Sequence, residues 1–270
     1  MTPETYLLVV VAGVLTGIVG GLFGIGGGAI LVPILVVGFD LPMHEAIAAS
    51  IVTVIATSSA TASVYVAKGY SNVRLGMSLE VMTTIGALFG GITANLLPGD
   101  VLKKIFAVFM IGVGILMWIK NTRPAKPRVI EGNAAITGSY FDEAENRQVN
   151  YSVKRLPLAM AISTFAGNIS GLLGIGGGLI KVPVMNLACG IPMKASTATS
   201  NFMIGVTAVA SAFIYFAHGN VNPYYTATAV LGVLIGSRLG AKLGMKIHSK
   251  VIIALFILLI FGVAARMYFS

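Results

Sequence analysis

The sequence predicts an all-α polytopic membrane protein made of two inverted repeats, each a broken re-entrant helix hairpin plus three transmembrane helices. Three observations carry that class. The composition could not keep a protein surface wet, two long apolar stretches are interrupted by glycine runs, and one motif recurs at a fixed offset. Of 270 residues, 56% are hydrophobic and 10% charged, with a mean hydropathy of +0.91. A soluble domain carries about 25% charged residues. A soluble enzyme and a nucleic-acid-binding module are therefore excluded, and the expected partners are the lipid bilayer and a small solute. The net charge of +9 bears on orientation instead, because basic residues collect in cytoplasmic loops. Cys189 is the single cysteine, so no internal disulfide can form, and its apolar neighbours make it a buried, inert thiol.

Along the chain, Met1 to Glu4 lacks the basic start of a signal peptide, and the apolar stretch runs straight into the first membrane element. Apolar runs of about 20 residues predict spans. They fall at 44–67, 75–97, 101–120, 194–217, 224–245 and 250–268. The stretches 5–39 and 156–189 differ. Each is interrupted by Gly-Ile-Gly-Gly-Gly, at 24–28 and 174–178. A continuous helix of that length would reach roughly 50 Å, too long for a bilayer core of about 30 Å. Glycine is a poor helix former, so each stretch reads as a helix, a break and a second helix of about 11 residues, roughly 16 Å long.

Residues 121–154 form the one polar region, a cytoplasmic linker between a first membrane repeat at 1–120 and a second at 155–270. It opens with basic, proline-spaced residues from Arg123 to Arg128. The segments Ala134 to Tyr140 and Val149 to Val153 flank an acidic turn at Asp142, Glu143 and Glu145. The alternation Val149, Tyr151, Val153 predicts a small β-hairpin outside the membrane. A connector is the expected role, with a soluble regulatory module as the alternative.

Residues 17–33 and 167–183 align at an offset of 150 with 11 of 17 positions identical, so the chain holds two copies of one fold. Charge decides their relative direction. If each broken stretch enters and leaves on one side, the cytoplasmic side holds 13 basic residues, Lys68, Arg74, Lys194, Lys242 and Lys246 among them, against 3 outside. Eight conventional spans in parallel copies give 10 against 6, so the inverted arrangement is expected, with both termini extracytoplasmic.

Broken backbone at membrane depth must be satisfied by protein or by a polar cavity. The segment after each break starts a helix, with free N–H groups and positive dipole potential. Gly26, Gly27 and Gly28, with Gly176, Gly177 and Gly178, would let an oxyanion approach that backbone, as discontinuous transporter helices do. Close helix packing is the competing account of such glycines. A dinucleotide fingerprint is excluded because no strand-helix-strand unit surrounds them, and no cofactor is expected. Ser50, Thr53, Thr57 and Thr61 share one face of the next helix, as do Thr197, Ser200, Asn201, Thr207 and Ser211 in the second copy. Of these, Ser50, Thr53, Ser200 and Asn201 are the candidate anion donors. Lys181, where the first copy has Leu31, and Arg238 are charges inside the membrane and hence site candidates. Snorkelling to the interface is the alternative for Lys181, and pairing with carbonyls or head groups for Arg238. Glu80 is the one carboxylate within a span, near its cytoplasmic end; with no acid at any helix middle, an anionic cargo is expected. His44, His218 and His248 fall at span ends and form no cluster.

At these residues the sequence resembles the TauE/SafE sulfite exporter family. The likeness rests on Gly20 to Gly28 followed by Val32 and Pro33, on Ser170 to Gly178 followed by Val182 and Pro183, and on Ala198 to Phe202 with His218 to Val221. The first copy departs at Ala49, Ser50 and Ile51, where no Thr precedes the Ser and no Asn follows, so the second copy is the stronger expected source of ligands. The resemblance implies an inner-membrane permease for sulfite, sulfonates or related sulfur oxyanions. An anion channel of the same architecture, or a membrane enzyme or receptor-like subunit acting on sulfur compounds, are the alternatives. A homo-oligomer is left open.

Overall fold

The computed structural model describes residues 3–121 and 136–247. The expected span 250–268, His248 and the basic stretch Arg123 to Arg128 lie outside the described residues. Within them the chain runs through α1 (Pro3–Phe23), α2 (Gly28–Pro33), α3 (Met43–Ala67), α4 (Val73–Leu96) and α5 (Gly99–Asn121). Then come β1 (Thr137–Asp142), β2 (Arg147–Ser152), α6 (Leu156–Leu173), α7 (Gly178–Leu187), α8 (Met193–Ala217) and α9 (Pro223–Lys246). Beyond Pro33, which has no amide hydrogen to give the ladder, α2 continues as a widened π-type turn over Ile34–Gly38.

Both glycine runs break their helices where expected. The first arms are nevertheless full-length. α1 and α6, with 21 and 18 residues, join α3, α4, α8 and α9 as the six described helices long and apolar enough to cross a membrane, and only the second arms are short. The reason is that glycine placement sets where a helix stops, and here each run sits near the far end of its first arm. Outward side chains such as Leu7, Phe89, Phe165, Phe213 and Leu231 are exposed and apolar, as contact with lipid requires.

Glycine seams hold the bundle together. Gly13, Gly17 and Gly21 of α1 press on Gly232, Val233 and Ser237 of α9, with residue numbers rising together, so the two helices run the same way. Gly86 and Gly90 of α4 press likewise on Thr164 and Asn168 of α6. Each repeat's first arm therefore packs against a helix of the other repeat, and the two copies interleave.

At one end of the bundle a His44 ring nitrogen lies 3.1 Å from the carbonyls of both Ala94 and Leu97, and Asn220 donates to Asn95. The hairpin sits on the other end. Its strands pair antiparallel, Thr137 opposite Ser152 through Asp142 opposite Arg147, close to the expected segments. It is docked: Tyr140, Tyr151 and Val153 are buried in one cluster with Tyr70, Met185 and Cys189. Asn72 caps α4 by accepting from the Leu75 amide and donates to the Tyr151 hydroxyl and the Thr137 carbonyl. Lys194 forms a buried ion pair with Asp142 at 2.6 Å and also donates to the carbonyl of Met245.

Candidate functional site

The two breaks meet in the centre of the molecule. Val54 and Ile204, near the midpoints of α3 and α8, both lie against Gly26 and Gly176. A Cβ built on Gly28 would stand 2.2 Å from the Gly174 carbonyl oxygen, and one on Gly178 would stand 2.1 Å from that of Gly24. Each break thus seats the first residue of its short helix on the other break's backbone, which leaves no space for a side chain. At Gly27 and Gly177, φ of 85° and 70° places the residue before the short helix in the left-handed region, which glycine enters without a Cβ penalty. The close packing weighed against an anion role is therefore a real function of these glycines.

The carbonyls released by the breaks are answered by side chains from the helices that follow. The Ser50 hydroxyl donates to Gly174 O and the Ser200 hydroxyl to Gly24 O, both at 2.7 Å. The Tyr65 hydroxyl and the Asn201 amide both donate to Gly21 O, at 3.0 and 3.1 Å. The Tyr215 hydroxyl donates to Gly171 O at 3.2 Å. Such pairing offsets the penalty for buried carbonyls, about 1–3 kcal/mol each when unmet. The amides behave differently. Those of Gly26, Gly27 and Gly28, and of Gly176, Gly177 and Gly178, find no backbone acceptor among the described residues, while the Gly27 and Gly177 carbonyls are taken up by the turns that start α2 and α7.

The structure brings the six glycines, Ser50, Ser200 and Asn201 together. Thr53 is buried nearby, but its hydroxyl donates to the Ser50 carbonyl of its own helix. Asn201 is fully buried and its Oδ1 has no partner among the described residues. Arg238 stands apart: it is exposed on the outer face of α9, beside the exposed Ile235 and Leu239.

Lys181 does not snorkel. It is buried in the first turn of α7, with its stem against Gly177, and its ammonium donates to Thr207 Oγ1 at 2.9 Å and pairs with Glu80 at 3.5 Å. Glu80 also accepts from Thr207 at 2.5 Å and from Thr83 at 3.0 Å. Sequence position put this carboxylate at a span end. In the fold it is buried against α7 and α8, because close packing of α4 on α6 and α8 brings its face inward. A narrow cleft between Leu79, Ala159, Ser163 and Met185 borders Lys181 and is too tight to hold a water.

Three residues escaped the sequence reading. Thr16 lies against Gly27, fully buried, and its hydroxyl has no partner among the described residues. It is the lone hydroxyl residue in the body of α1, two turns before the break, and that isolation was a readable signal. Tyr65 and Tyr215 recur at the repeat offset, which marked them as equivalent without revealing their carbonyl partners. Nothing one-dimensional pairs Glu80 with Lys181.

Comparison with known proteins agrees with this architecture. Residues 9–267 match the family described as Sulfite exporter TauE/SafE. "Probable membrane transporter protein YunE" of Bacillus subtilis is 28% identical over 242 residues, covering 87% of this chain and 86% of that protein. A probable membrane transporter protein of Xylella fastidiosa is 29% identical over 238 residues, 87% of this chain and 84% of its own. One from Methanocaldococcus jannaschii is 27% identical over 214 residues, 77% and 71% of the two chains. No solved structure matches the chain.

Proposed function

The chain belongs to the TauE/SafE sulfite exporter family and is a membrane transporter rather than an enzyme, and from that footing we propose that it exports sulfite or a related sulfur oxyanion or organosulfonate across the inner membrane. The observation that carries this reading is the meeting of the two breaks, with helix-start amides turned loose in the membrane interior. Unpaired amides at helix starts, with the dipole behind them, favour negative charge. Gly26, Gly27, Gly28, Gly176, Gly177 and Gly178 supply those amides. Ser50, Thr53, Ser200 and Asn201 lie beside the breaks, and Lys181 adds a cation beside the second. Arg238, on the outer face, meets lipid head groups in this reading.

The mechanism is alternating access by two inverted repeats. Support for inversion comes from contact register. Gly21 meets both Tyr65 near the end of α3 and Asn201 near the start of α8. Gly171 meets Tyr215 near the end of α8, while Gly174 meets Ile47 near the start of α3. The equivalent helices α3 and α8 then point in opposite directions. Charge agrees, since Lys194 and the end of α9 share the hairpin's face with Lys68, whose partner is Glu143 at 3.2 Å. That face is cytoplasmic by its basic residues.

The breaks press on each other with no room for a guest, which favours a carrier caught occluded over an open channel. The test is counterflow in proteoliposomes, with labelled sulfite, sulfoacetate and sulfate and protein-free vesicles as the leak control. Saturable exchange of at least one anion is expected. Unitary conductance in planar bilayers would replace the carrier with a channel, and exchange of none of the three ends the anion reading.

A further inference from the structure

Glu80, Lys181 and Thr207 form a buried charge cluster that anion binding alone leaves unexplained. Three elements contribute to it: α4 supplies Glu80, Thr83 and Thr84, α7 supplies Lys181, and α8 supplies Thr207. The cleft walls from α6 add Ala159, Ile162, Ser163 and Ala166, none of which titrates. Glu80 and Lys181 are thus the two charged groups facing each other here among the described residues. Thr207 lies three residues from Ile204, which touches both breaks, about 4.5 Å along the helix. At the equivalent positions of the opposite repeat stand Val230 for Glu80, Leu31 for Lys181 and Thr57 for Thr207, so the pair exists once per chain.

We propose that Glu80 is the proton-binding site that couples anion movement to the proton gradient. This rests on the anion-carrier reading above. With the site empty, the Glu80 carboxylate pairs with the Lys181 ammonium, so no net charge is buried. A monoanion arriving at the second break beside Lys181 would leave one negative charge in excess, and an unpaired charge in low dielectric is strongly disfavoured. A proton on Glu80 removes the excess and releases the ammonium to its new partner. Anion and proton therefore bind together, each raising the other's affinity by the same factor. The surrounding groups accept either state. The hydroxyls of Thr83, Thr84 and Thr207 can donate to a carboxylate or accept from a carboxylic acid. No bond is made or broken apart from the proton's transfer to and from Glu80. Net direction follows the sum of the anion and proton gradients, so export proceeds when the outward anion gradient exceeds the inward proton gradient.

The experiment uses the full chain in proteoliposomes, with whichever of sulfite, sulfoacetate and sulfate exchanges in the counterflow assay and with the membrane potential clamped at zero. For one proton per anion, an acid-outside gradient should accumulate the wild-type substrate about tenfold per pH unit. Glu80→Gln should still exchange the anion but show no pH-driven accumulation. The double variant Glu80→Gln with Lys181→Met leaves no lone buried charge, and it should likewise fail to accumulate if the single variant does not fold. Accumulation at the wild-type level in either variant overturns the proposal. Wild-type exchange that ignores the pH gradient overturns it too, while sparing the carrier reading. Absence of any wild-type exchange sinks both.

Discussion

Placing a methyl group at Gly28 or Gly178 drives it into the other break's backbone. In Gly28→Ala the new carbon would stand 2.2 Å from Gly174 O, 2.7 Å from Ser50 Oγ and 2.9 Å from Ile175 Cα, where ordinary contact begins at 3.4 Å. Carbonyl and Cα atoms cannot rotate aside, so the breaks must part by about 1 Å, and overpacking of this kind costs about 1–3 kcal/mol. Parting them also strains the Ser50 bond to Gly174, with a loss of about 1 kcal/mol. Gly178→Ala faces the same geometry at Gly24 O and the Ser200 bond. Each variant should therefore lose about 2–4 kcal/mol of unfolding free energy, measured by SDS titration in mixed micelles. Gly38→Ala is the control, because its nearest neighbour is 4.0 Å away; it should stay within about 0.5 kcal/mol of wild type. Both methyls demand one and the same separation, so the double variant should cost less than the sum of the singles. Single variants as stable as the control, or strictly additive costs, would refute the claim that the two breaks are one contact.

Tyr215→Phe should destabilise more than Tyr65→Phe in the same titration, by about 1 kcal/mol, because Gly21 O keeps Asn201 as a second donor while position 51 in the first repeat is Ile. Lys194→Met strips Asp142 of its buried partner, at a cost of about 3–5 kcal/mol to hairpin docking. Cys189, buried in the same cluster with its thiol pushed above the ordinary range by burial, should react slowly with maleimide in wild type and several-fold faster in that variant. Burial also raises the phenols of Tyr140 and Tyr151, Tyr140 further by the charge of Asp142. A raised folded value means the undocked chain releases these protons first. Docking is then whole below about pH 10 and weakens as pH climbs beyond it. Phenolate absorbance and Cys189 labelling should rise together on alkaline titration; early phenolate formation without labelling would show the rings to be open to water.

The membrane class, the doubling of the chain and the places where helices stop were legible in one dimension. Hydropathy, glycine's helix cost and proline's missing amide act on a residue whatever surrounds it, so Gly24 to Gly28 and Gly174 to Gly178 announced themselves. The hairpin was legible for the same reason, from alternation around an acidic turn. Its docking was not, because Lys194 reaches Asp142 across 52 residues.

Tertiary structure alone decided what answers the broken backbone. Ser50 and Ser200 stand 124 and 176 residues from the carbonyls they serve, and Glu80 reaches Lys181 only because α4 packs on α6 and α8. Spacing along a helix says which side chains share a face, but not which distant element that face meets. Here each repeat's first arm lies against the opposite repeat, so Ser50, Ser200, Asn201 and Glu80 find partners in the far half of the chain, while Tyr65 and Tyr215 answer carbonyls of their own half.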